Sequence, residues 1–345
     1  MRPVLAAALL AAGVAHAQAA GDDGAADWTA LVLEMIGGIA PLFLHGVDLL
    51  AGALREGADG RMQRLLQRGS AYRLGGLAGG TVATVVLDSS SVVIILLIPF
   101  AAALPVILGA NIGTTFSSQL FAWNVDAYSP VLIVAGLVLQ ALGRGDRAKR
   151  TARGLLGLGL VLFGLHIIGV ATEPLQGRPE VLRWLARFDD PWMGVAAGAV
   201  ATVAIQSSSA MIGIVITLAG GGLIALPAGV AIMLGAEIGT CADTLVATLG
   251  RSRAAVKAGV FHLLFNIACV VVGVLLIDRL AGFGSATASD TGQRIANAHV
   301  LFNVAGALLA LPFVCAVAGL LDRMVPDRGG TRDPQSALGI AGGRV

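Results

Sequence analysis

"VATVAIQSSSAMIGIVIT", residues 200–217, is an apolar segment whose centre carries four polar residues in a row, Gln206 and the serines at 207–209. Polar side chains in hydrocarbon cost free energy unless each finds a partner. The same feature occurs earlier in the chain, because "TVATVVLDSSS" (81–91) matches "AVATVAIQSSS" (199–209) at seven of eleven positions. A polar interruption repeated in two apolar segments predicts two equivalent turns and an internal duplication.

The composition is that of an integral membrane protein. Of the 345 residues, 56% are hydrophobic and only 13% are charged, against about 25% charged residues in a typical soluble domain. The mean hydropathy is +0.84, and apolar stretches of membrane length recur along the chain. We therefore predict an all-α protein whose surroundings are a lipid bilayer. No basic run with interleaved aromatics suggests nucleic-acid binding.

The N-terminus has the features of a secretory signal peptide. Arg2 precedes an apolar run at 4–14, and Ala15 and Ala17 form an A-x-A cleavage site. Cleavage of residues 1–17 would place the mature N-terminus outside the cytoplasm, which indicates a bacterial inner membrane. The alternative is an uncleaved apolar tail.

Clusters of basic residues separate the apolar segments and define a topology. The positive-inside rule places these clusters in the cytoplasm. They lie at 55–73, 144–153, 251–257 and 323–332. The segments 172–192 and 278–293 are then outside, and the Gly/Pro-rich tail 322–345 is predicted to be cytoplasmic and disordered.

Two stretches are too long for one crossing, since about 20 residues suffice to span the bilayer. Residues 74–123 and 191–249 would each hold a re-entrant hairpin that turns near its three serines, followed by one full span. The basic clusters put the two copies in opposite orientations. An inverted-topology repeat with a broken hairpin in each half is a transporter architecture. The predicted units are repeat 1 at 29–143 with its hairpin at about 74–103, repeat 2 at 154–277 with its hairpin at about 191–220, and a final transmembrane helix at 293–321.

A second motif follows each serine cluster. "GANIGT" (109–114) matches "GAEIGT" (235–240) at an offset of 126, whereas the serine segments are offset by 118, so the first copy lacks eight residues in between. We expect these glycines to break or tighten the span; the alternative is that they pack against another helix. Candidate oxygen ligands in this region are Asn111, Thr114, Thr115, Glu237 and Thr240.

The serine clusters themselves are candidate binding residues. Serine caps helix N-termini well, and two such termini that face each other would attract an anion. Carbonyl groups that precede the serines, together with Gln206, could hold Na⁺. The alternative is that small serines let helices pack closely in lipid. The candidate substrate-binding residues are Ser89, Ser90, Ser91, Gln206, Ser207, Ser208 and Ser209.

Two further segments are similar in sequence, "FHLLFN" (261–266) and "AHVLFN" (298–303). In each, a histidine and an asparagine are four residues apart and therefore lie on one helical face. For His262 and His299, as for His45 and His166, we expect interhelical hydrogen bonds rather than ligand binding.

These motifs resemble the type II Na⁺/phosphate cotransporter family, which carries duplicated QSSS hairpins, each followed by a G-[AS]-N-I-G-T-T segment, and an H-x-x-F-N helix. "IQSSSAM", "GANIGTT" and "FHLLFN" match, and the resemblance covers residues 30 to 320. It implies Na⁺-coupled movement of inorganic phosphate, with the anion held between the hairpin tips and Na⁺ as the coupling ion. By position, it assigns substrate and ion to the serine clusters with Gln206, and supporting roles to Asn111, Thr114, Thr115 and Thr240.

The chain departs from the family pattern at acidic positions. Asp88 stands where the family has Gln, Glu237 where it has Asn, and Asp48 and Asp243 are further acids in apolar segments. A carboxylate beside an anion repels it unless a cation or proton intervenes. Asp88 and Glu237 could thus bind additional Na⁺, couple transport to H⁺, or indicate another small anion; Asp88 could also be a neutral, hydrogen-bonded acid. We expect Asp88 to strengthen cation binding and to make transport sensitive to pH.

Two other classes compete with a transporter. An intramembrane serine hydrolase would need one activated serine beside a base, usually in a G-x-S-x-G-like turn, and neither serine cluster has that context. A sensor derived from the same fold would bind the anion without moving it. We expect no enzyme activity. An oligomer is compatible with the sequence, in which no feature selects one.

Cysteine labelling tests the predicted topology. In a background without native cysteines, an impermeant thiol reagent should label Gly177→Cys but not Gly145→Cys in cells with a permeable outer membrane, because only residue 177 lies outside. Labelling of Gly145→Cys instead would overturn the orientation and the inverted repeat with it.

Overall fold

The computed structural model describes residues 39–57, 66, 72–95, 100–123, 125–176, 178–248 and 252–324, and all regular structure within these ranges is helical. The predicted signal peptide, the beginning of repeat 1 and the tail beyond Met324 lie outside the described residues. Five helical segments are long and apolar enough to cross a membrane, and the chain is a multi-pass helical membrane protein. These segments are Val125–Leu142, Asp146–Leu175, Leu226–Val246, Arg253–Leu275 and Thr291–Met324.

Grouped by the two repeats predicted from the sequence, the helices form a first copy, a second copy and a C-terminal group. The first copy contains α1 (Ala40–Gly57), α2 (Arg73–Leu87), α3 (Ser90–Ile95), α4 (Phe100–Ala122) and α5 (Ser129–Leu142). The second contains α6 (Asp146–Thr172), α7 (Pro179–Leu185), α8 (Pro191–Ile205), α9 (Ser208–Gly220), α10 (Leu226–Thr248) and α11 (Arg253–Leu275). The C-terminal group is α12 (Ile277–Thr287), α13 (Thr291–Ala310) and α14 (Val314–Met324).

The duplication in the sequence is also a duplication of helices. Both ends of α8 lie 118 residues after those of α2, and both ends of α10 lie 126 residues after those of α4. The eight residues that the first copy lacks therefore fall between the start of α3 and the start of α4. In the second copy the same interval holds the 13-residue helix α9.

Glycines bring the short helix of each copy against the long one. A Cβ atom at Gly80 on α2 would collide with the carbonyl oxygen of Val106 on α4, and one at Gly198 on α8 with that of Ile232 on α10. In return, Gly109 of α4 lies on the backbone of α2, and Gly235 of α10 on that of α8. Such close approach is available only without a side chain, as in small-residue helix packing in membranes.

The predicted break at the GANIGT motifs is wrong. Helices α4 and α10 run without interruption through residues 109–114 and 235–240. Their glycines instead serve as packing positions: Gly113 lies against Thr84 of α2, and Gly239 against Thr202 of α8. The energy gained from close packing with the neighbouring helix offsets the weak helix propensity of glycine, which costs about 1 kcal/mol per residue.

Three apolar helices are too short to cross a bilayer. Helices α2 and α8 have 15 residues each and α9 has 13, whereas a full crossing needs about 20. Their lengths agree with the interpretation that each serine cluster marks a turn within an apolar segment. That these helices enter and leave on one side of the membrane, in opposite orientations, stays a prediction.

Helices α1, α5 and α6 pack together at glycines. Gly46 of α1 and Gly157 of α6 lie against each other's backbones, and Gly136 of α5 contacts the backbone of α6. At one end, Arg153 donates two hydrogen bonds to the carboxylate of Glu56, at 2.5 and 2.7 Å. The first two basic clusters, predicted to share the cytoplasm, are therefore in contact.

A 3-10 turn interrupts the last apolar segment. The predicted final transmembrane helix at 293–321 consists of α13 and α14, joined by a 3-10 turn at Leu311–Phe313. Pro312 lies within that turn, and proline removes a helical hydrogen bond. Lys257 at the start of α11 donates to Asp322 near the end of α14, at 2.7 Å, which joins the last two basic clusters.

Substitution of an interhelical glycine should destabilise the fold. Gly198→Ala places a methyl group against the backbone of α10, and overpacking of this kind costs roughly 1–3 kcal/mol. Gly319→Ala is the control, since a Cβ there meets open space. Thermal unfolding in detergent should show a lower midpoint for Gly198→Ala only; equal midpoints would remove the packing role of this glycine.

Candidate functional site

Helices α2 and α8 each end at a non-glycine residue in the left-handed conformation. Asp88 follows α2 with φ 45°, and Gln206 follows α8 with φ 59°. Their backbone N–H groups donate to the carbonyls of Thr84 and Thr202, both at 2.7 Å. The next helix begins within the serine cluster, at Ser90 in the first case and at Ser208 in the second.

The first serine of each cluster caps the helix that follows. Ser89 Oγ accepts a hydrogen bond from the Val92 N–H at 3.3 Å, and Ser207 Oγ accepts one from the Ala210 N–H at 3.2 Å. This is the N-cap arrangement in which a side-chain oxygen satisfies a free N–H of the first turn. It leaves the other serines available for other partners.

The third serine of each cluster reaches the other copy. Ser91 Oγ lies 3.0 Å from Thr244 Oγ1 on α10, and Ser209 Oγ donates to Asp88 Oδ1 at 3.0 Å. The same carboxylate oxygen accepts a second hydrogen bond from Ser117 of α4 at 2.5 Å. Asp88 thus joins its own turn, the long helix of its copy and the serine cluster of the other copy.

Both turns open into one cavity of about 260 Å³. Ser90 and Ser208 line it, and neither side chain forms a hydrogen bond within the described part of the chain. The predicted site residues that this cavity brings together are Asp88, Ser89, Ser90, Ser91, Thr114, Gln206, Ser207, Ser208, Ser209 and Thr240. Helix α1 completes the lining with Asp48 and Arg55 among others.

Arg55 is a site residue that the sequence analysis missed. It was assigned only to a cytoplasmic basic cluster, yet among the described residues that line the cavity it is the only cationic one. A signal was present in the sequence, because Arg55 lies seven residues after Asp48 and therefore on the same face of a helix. Helix α1 thus contributes one negative and one positive side chain, Asp48 and Arg55, to the lining of the cavity.

Three predicted site residues lie away from the cavity. Asn111, Thr115 and Glu237 are buried and do not line it. Thr114 and Thr240, which do, direct their hydroxyl groups to backbone carbonyls of their own helices, at 2.7 and 2.9 Å. The GANIGT segments thus supply one lining residue each, and the rest of their polar groups form a separate buried layer.

That layer repeats in the two copies. Asn111 Oδ1 lies 3.1 Å from His262 Nε2, and its amide donates to Asn266 at 3.4 Å. At the equivalent position, Glu237 Oε1 lies 2.6 Å from His299 Nε2 and accepts a hydrogen bond from Asn303 at 3.3 Å. The two His-Asn pairs recognised in the sequence each bind one GANIGT position.

The prediction that histidines form interhelical hydrogen bonds is confirmed for three of them. His262 and His299 do so in the buried layer, and His166 of α6 lies 2.9 Å from Asp126. His45 is exposed on α1.

The cavity is chemically suited to a small anion together with hard cations. Its hydroxyl groups and the Arg55 guanidinium can donate to anionic oxygens. Its carboxylate, hydroxyl and amide oxygens are ligands of the type that hard cations prefer. Asp48, Asp88 and Arg55 give the lining a formal charge of −1, so an anion would require accompanying positive charge.

Short apolar helices that meet at a polar cavity, duplicated within a multi-pass helical chain, are the features of a membrane transporter with broken helices. The chain belongs to the Na⁺/Pi-cotransporter family, whose sequence model matches residues 42–170 and 177–305. These matches cover both serine clusters, both GANIGT positions and the two His-Asn pairs.

The chain is also similar to individual proteins from bacteria and human. YqeW of Bacillus subtilis (strain 168), an uncharacterized protein, is 30% identical over 308 residues, which cover 86% of this chain and 99% of YqeW. YjbB of Escherichia coli (strain K12), named for inorganic phosphate export, is 23% identical over 86% of this chain, which spans only 56% of YjbB. The human sodium-dependent phosphate transport protein 2C is 34% identical over 137 residues, 35% of this chain and 23% of that protein. No solved structure matches the chain.

The hydrogen bond between Ser117 and Asp88 should be measurable as a coupling energy. Ser117→Ala removes one donor from a partly enclosed carboxylate, and loss of a hydrogen bond to a charged group costs roughly 1.5–3 kcal/mol. In a double-mutant cycle with Asp88→Asn, the two effects on the unfolding midpoint in detergent should not add. Ser91→Ala, whose partner is Thr244, should add to Asp88→Asn. Additive effects of Ser117→Ala would show that this contact contributes nothing.

Proposed function

We propose that this protein is a secondary active transporter that moves inorganic phosphate across a bacterial inner membrane, coupled to Na⁺. One observation carries the proposal: the serine turns of both copies open into a single cavity. Duplicated turns have this use in a transporter, where each half supplies one side of a central binding site. Membership of the Na⁺/Pi-cotransporter family supports phosphate as the anion.

Phosphate would bind between Ser90 and Ser208. Their hydroxyl groups line the cavity without other hydrogen-bond partners in the described chain. Ser208 is also the first residue of α9, whose N-terminal N–H groups and dipole favour negative charge. Arg55 would contribute the charge-assisted hydrogen bond that suits a phosphate oxygen.

Sodium ions would balance the charge. Phosphate carries between roughly one and two negative charges near neutral pH, and the lining already has a formal charge of −1. An anion in such a cavity is unfavourable unless cations enter with it, which is the physical basis of coupled transport. Asp88 and Gln206, at the ends of α2 and α8, are the proposed Na⁺ ligands, with backbone carbonyls of those ends.

The direction of phosphate transport is left to the flux experiment described below. YjbB is named for export of inorganic phosphate, whereas protein 2C is named for sodium-dependent phosphate transport. Reconstitution in both orientations allows uptake and release to be measured separately. The proposed topology has the mature N-terminus outside and the C-terminal tail in the cytoplasm.

A serine hydrolase is the second candidate, because Ser118, His299 and Glu237 form a Ser-His-Glu chain. Ser118 Oγ lies 2.5 Å from His299 Nδ1, and His299 Nε2 lies 2.6 Å from Glu237. However, Ser118 is only 1% exposed and lies outside the cavity. Its contact is with Nδ1, whereas the triad base uses Nε2 toward the serine. The geometry therefore favours a transporter over a hydrolase.

Phosphate flux tests the proposal. In proteoliposomes, an imposed Na⁺ gradient should drive accumulation of radiolabelled phosphate, and collapse of the gradient should abolish it. Ser90→Ala and Ser208→Ala should each reduce flux or apparent affinity about ten- to a hundredfold, since each removes one hydrogen bond to a charged ligand.

The controls separate the competing functions. Ser129→Ala, at a buried serine that does not line the cavity, should retain full flux. Phosphate binding without flux would indicate a sensor, and flux of other small anions in preference to phosphate would change the substrate. Full activity of both Ser90→Ala and Ser208→Ala would leave the serines as packing residues.

A further inference from the structure

The contact between Glu237 and His299 is the most enclosed pair of ionisable groups in the described chain. Glu237 is 4% exposed and His299 is 0% exposed. Both imidazole nitrogens are engaged, Nε2 with Glu237 Oε1 at 2.6 Å and Nδ1 with Ser118 Oγ at 2.5 Å. The three residues belong to α10, α13 and α4. Their hydrogen bonds therefore join the long helices of both copies to the C-terminal group.

A neutral version of the same arrangement surrounds Asn111, the equivalent residue in the first copy. Asn111 occupies the position of Glu237, and His262 occupies that of His299, with Nε2 of the imidazole 3.1 Å from Asn111 Oδ1. Nδ1 of His262 is buried and has no hydrogen-bond partner in the described chain. Packing alone is therefore satisfied by an asparagine here, and a carboxyl group in the second copy introduces an ionisable group that the fold does not need.

Ser118 allows the hydrogen-bonded group Glu237-His299-Ser118 to hold either one proton or two on its carboxylate and imidazole. With one proton, the neutral imidazole donates from Nε2 to the carboxylate, and its Nδ1 accepts from the serine hydroxyl. With two, the pair is electrically neutral overall, and Nδ1 donates to the serine oxygen after the hydroxyl group rotates. Serine can act as donor or acceptor, so a proton can enter or leave without loss of a contact.

We propose that Glu237, His299 and Ser118 form a proton-binding site, and that proton exchange there is coupled to the transport cycle. The proton-binding part rests on this geometry alone, whereas the coupling rests on the proposed function. A net negative charge in a dry interior is costly, whereas the doubly protonated pair carries none. The proton site thus adds a second cation, H⁺, to the proposed Na⁺.

Other ionisable groups lie on the elements packed against α10 and α13. A charge on Glu237 interacts electrostatically with His262, Cys241 and Cys269. Helices α4, α8 and α9 carry no charged residue. The remaining charged residues on the elements packed against α10 and α13 are Arg187, Asp189, Asp243, Arg253, Lys257, Asp278, Arg279 and Arg294.

The proton site adjoins the phosphate cavity through two helices. On α4, Ser118 binds His299 while the preceding residue, Ser117, binds Asp88 in the cavity. On α10, Glu237 precedes the cavity residue Thr240 by one turn. A change in charge at Glu237 that alters the packing of α4, α10 and α13 would therefore reach the cavity directly.

Polar side chains also extend from the site toward the start of α13. Gln119 follows Ser118 and donates to Asn297 at 3.1 Å, and Gln293 donates to Gln119 at 2.8 Å. Asn297 in turn donates to the exposed Thr287 at 3.0 Å. This row of amides lies between the proton site and the start of α13, and it gives water a polar surface to follow.

Proton titration of the purified protein in detergent tests the site without transport. Between about pH 6 and about pH 9, where ordinary carboxyl groups stay ionised, Glu237→Asn should bind about one proton fewer than the native protein. This substitution installs the residue of the first copy, whose histidine contact is compatible with the fold. Asp88→Asn serves as the reference background, and adding Glu237→Asn to it should again remove about one proton. Coincident curves with and without Glu237→Asn would overturn the proton site.

Flux measurements then test the coupling. Initial phosphate flux at saturating Na⁺ should vary severalfold over the same pH range in the native protein, and this variation should be lost in Glu237→Asn. Ser118→Ala should shift the midpoint of the pH profile, because it removes the group that accommodates both protonation states. If Glu237→Asn loses the proton yet keeps the native pH profile, the coupling is wrong. If no variant transports phosphate, the proposed function fails while the titration still decides whether the proton site exists.

Discussion

Backbone contact between a short helix and a long helix fixes the position of everything else in each copy. Helix α2 lies against α4 at Gly80 and Gly109, and α8 lies against α10 at Gly198 and Gly235. Because no side chain separates the backbones, the short helix cannot slide or rotate without a collision. The ends of α2 and α8, and hence the serine turns that follow them, are held at a fixed height along the long helices. The cavity lies between the ends of these two short helices.

The sequence predicted the features that repeat, because repetition is visible without any knowledge of contacts. The offsets of 118 and 126 residues identified the paired helices and the interval in which they differ, and the helix boundaries in the structure have the same two offsets. The polar character of the turns followed from the cost of serine in an apolar segment. The paired His-Asn motifs were also visible, since a spacing of four residues defines a helical face.

The features that depend on contacts between distant segments were not predicted from the sequence. A glycine that breaks a helix and one that packs against a neighbour have the same sequence, and only the nearby backbone of α2 or α8 selects packing at Gly113 and Gly239. Arg55 was grouped with basic residues that mark the cytoplasm, although α1 directs it toward the cavity. Glu237 shares a motif with Thr240, yet it contacts His299 of α13 and does not line the cavity.

The left-handed residues at the two turns have a consequence for how the tips are maintained. Asp88 and Gln206 have φ values of 45° and 59°, a conformation that costs an L-residue roughly 1–2 kcal/mol and glycine almost nothing. The chain contains 47 glycines and uses them wherever backbones must approach, yet it has none at these two places. The conformational strain is therefore tolerated in exchange for a side chain with an oxygen atom. At Asp88, hydrogen bonds from Ser117 and Ser209 hold that oxygen in place, so the protein itself orders this tip.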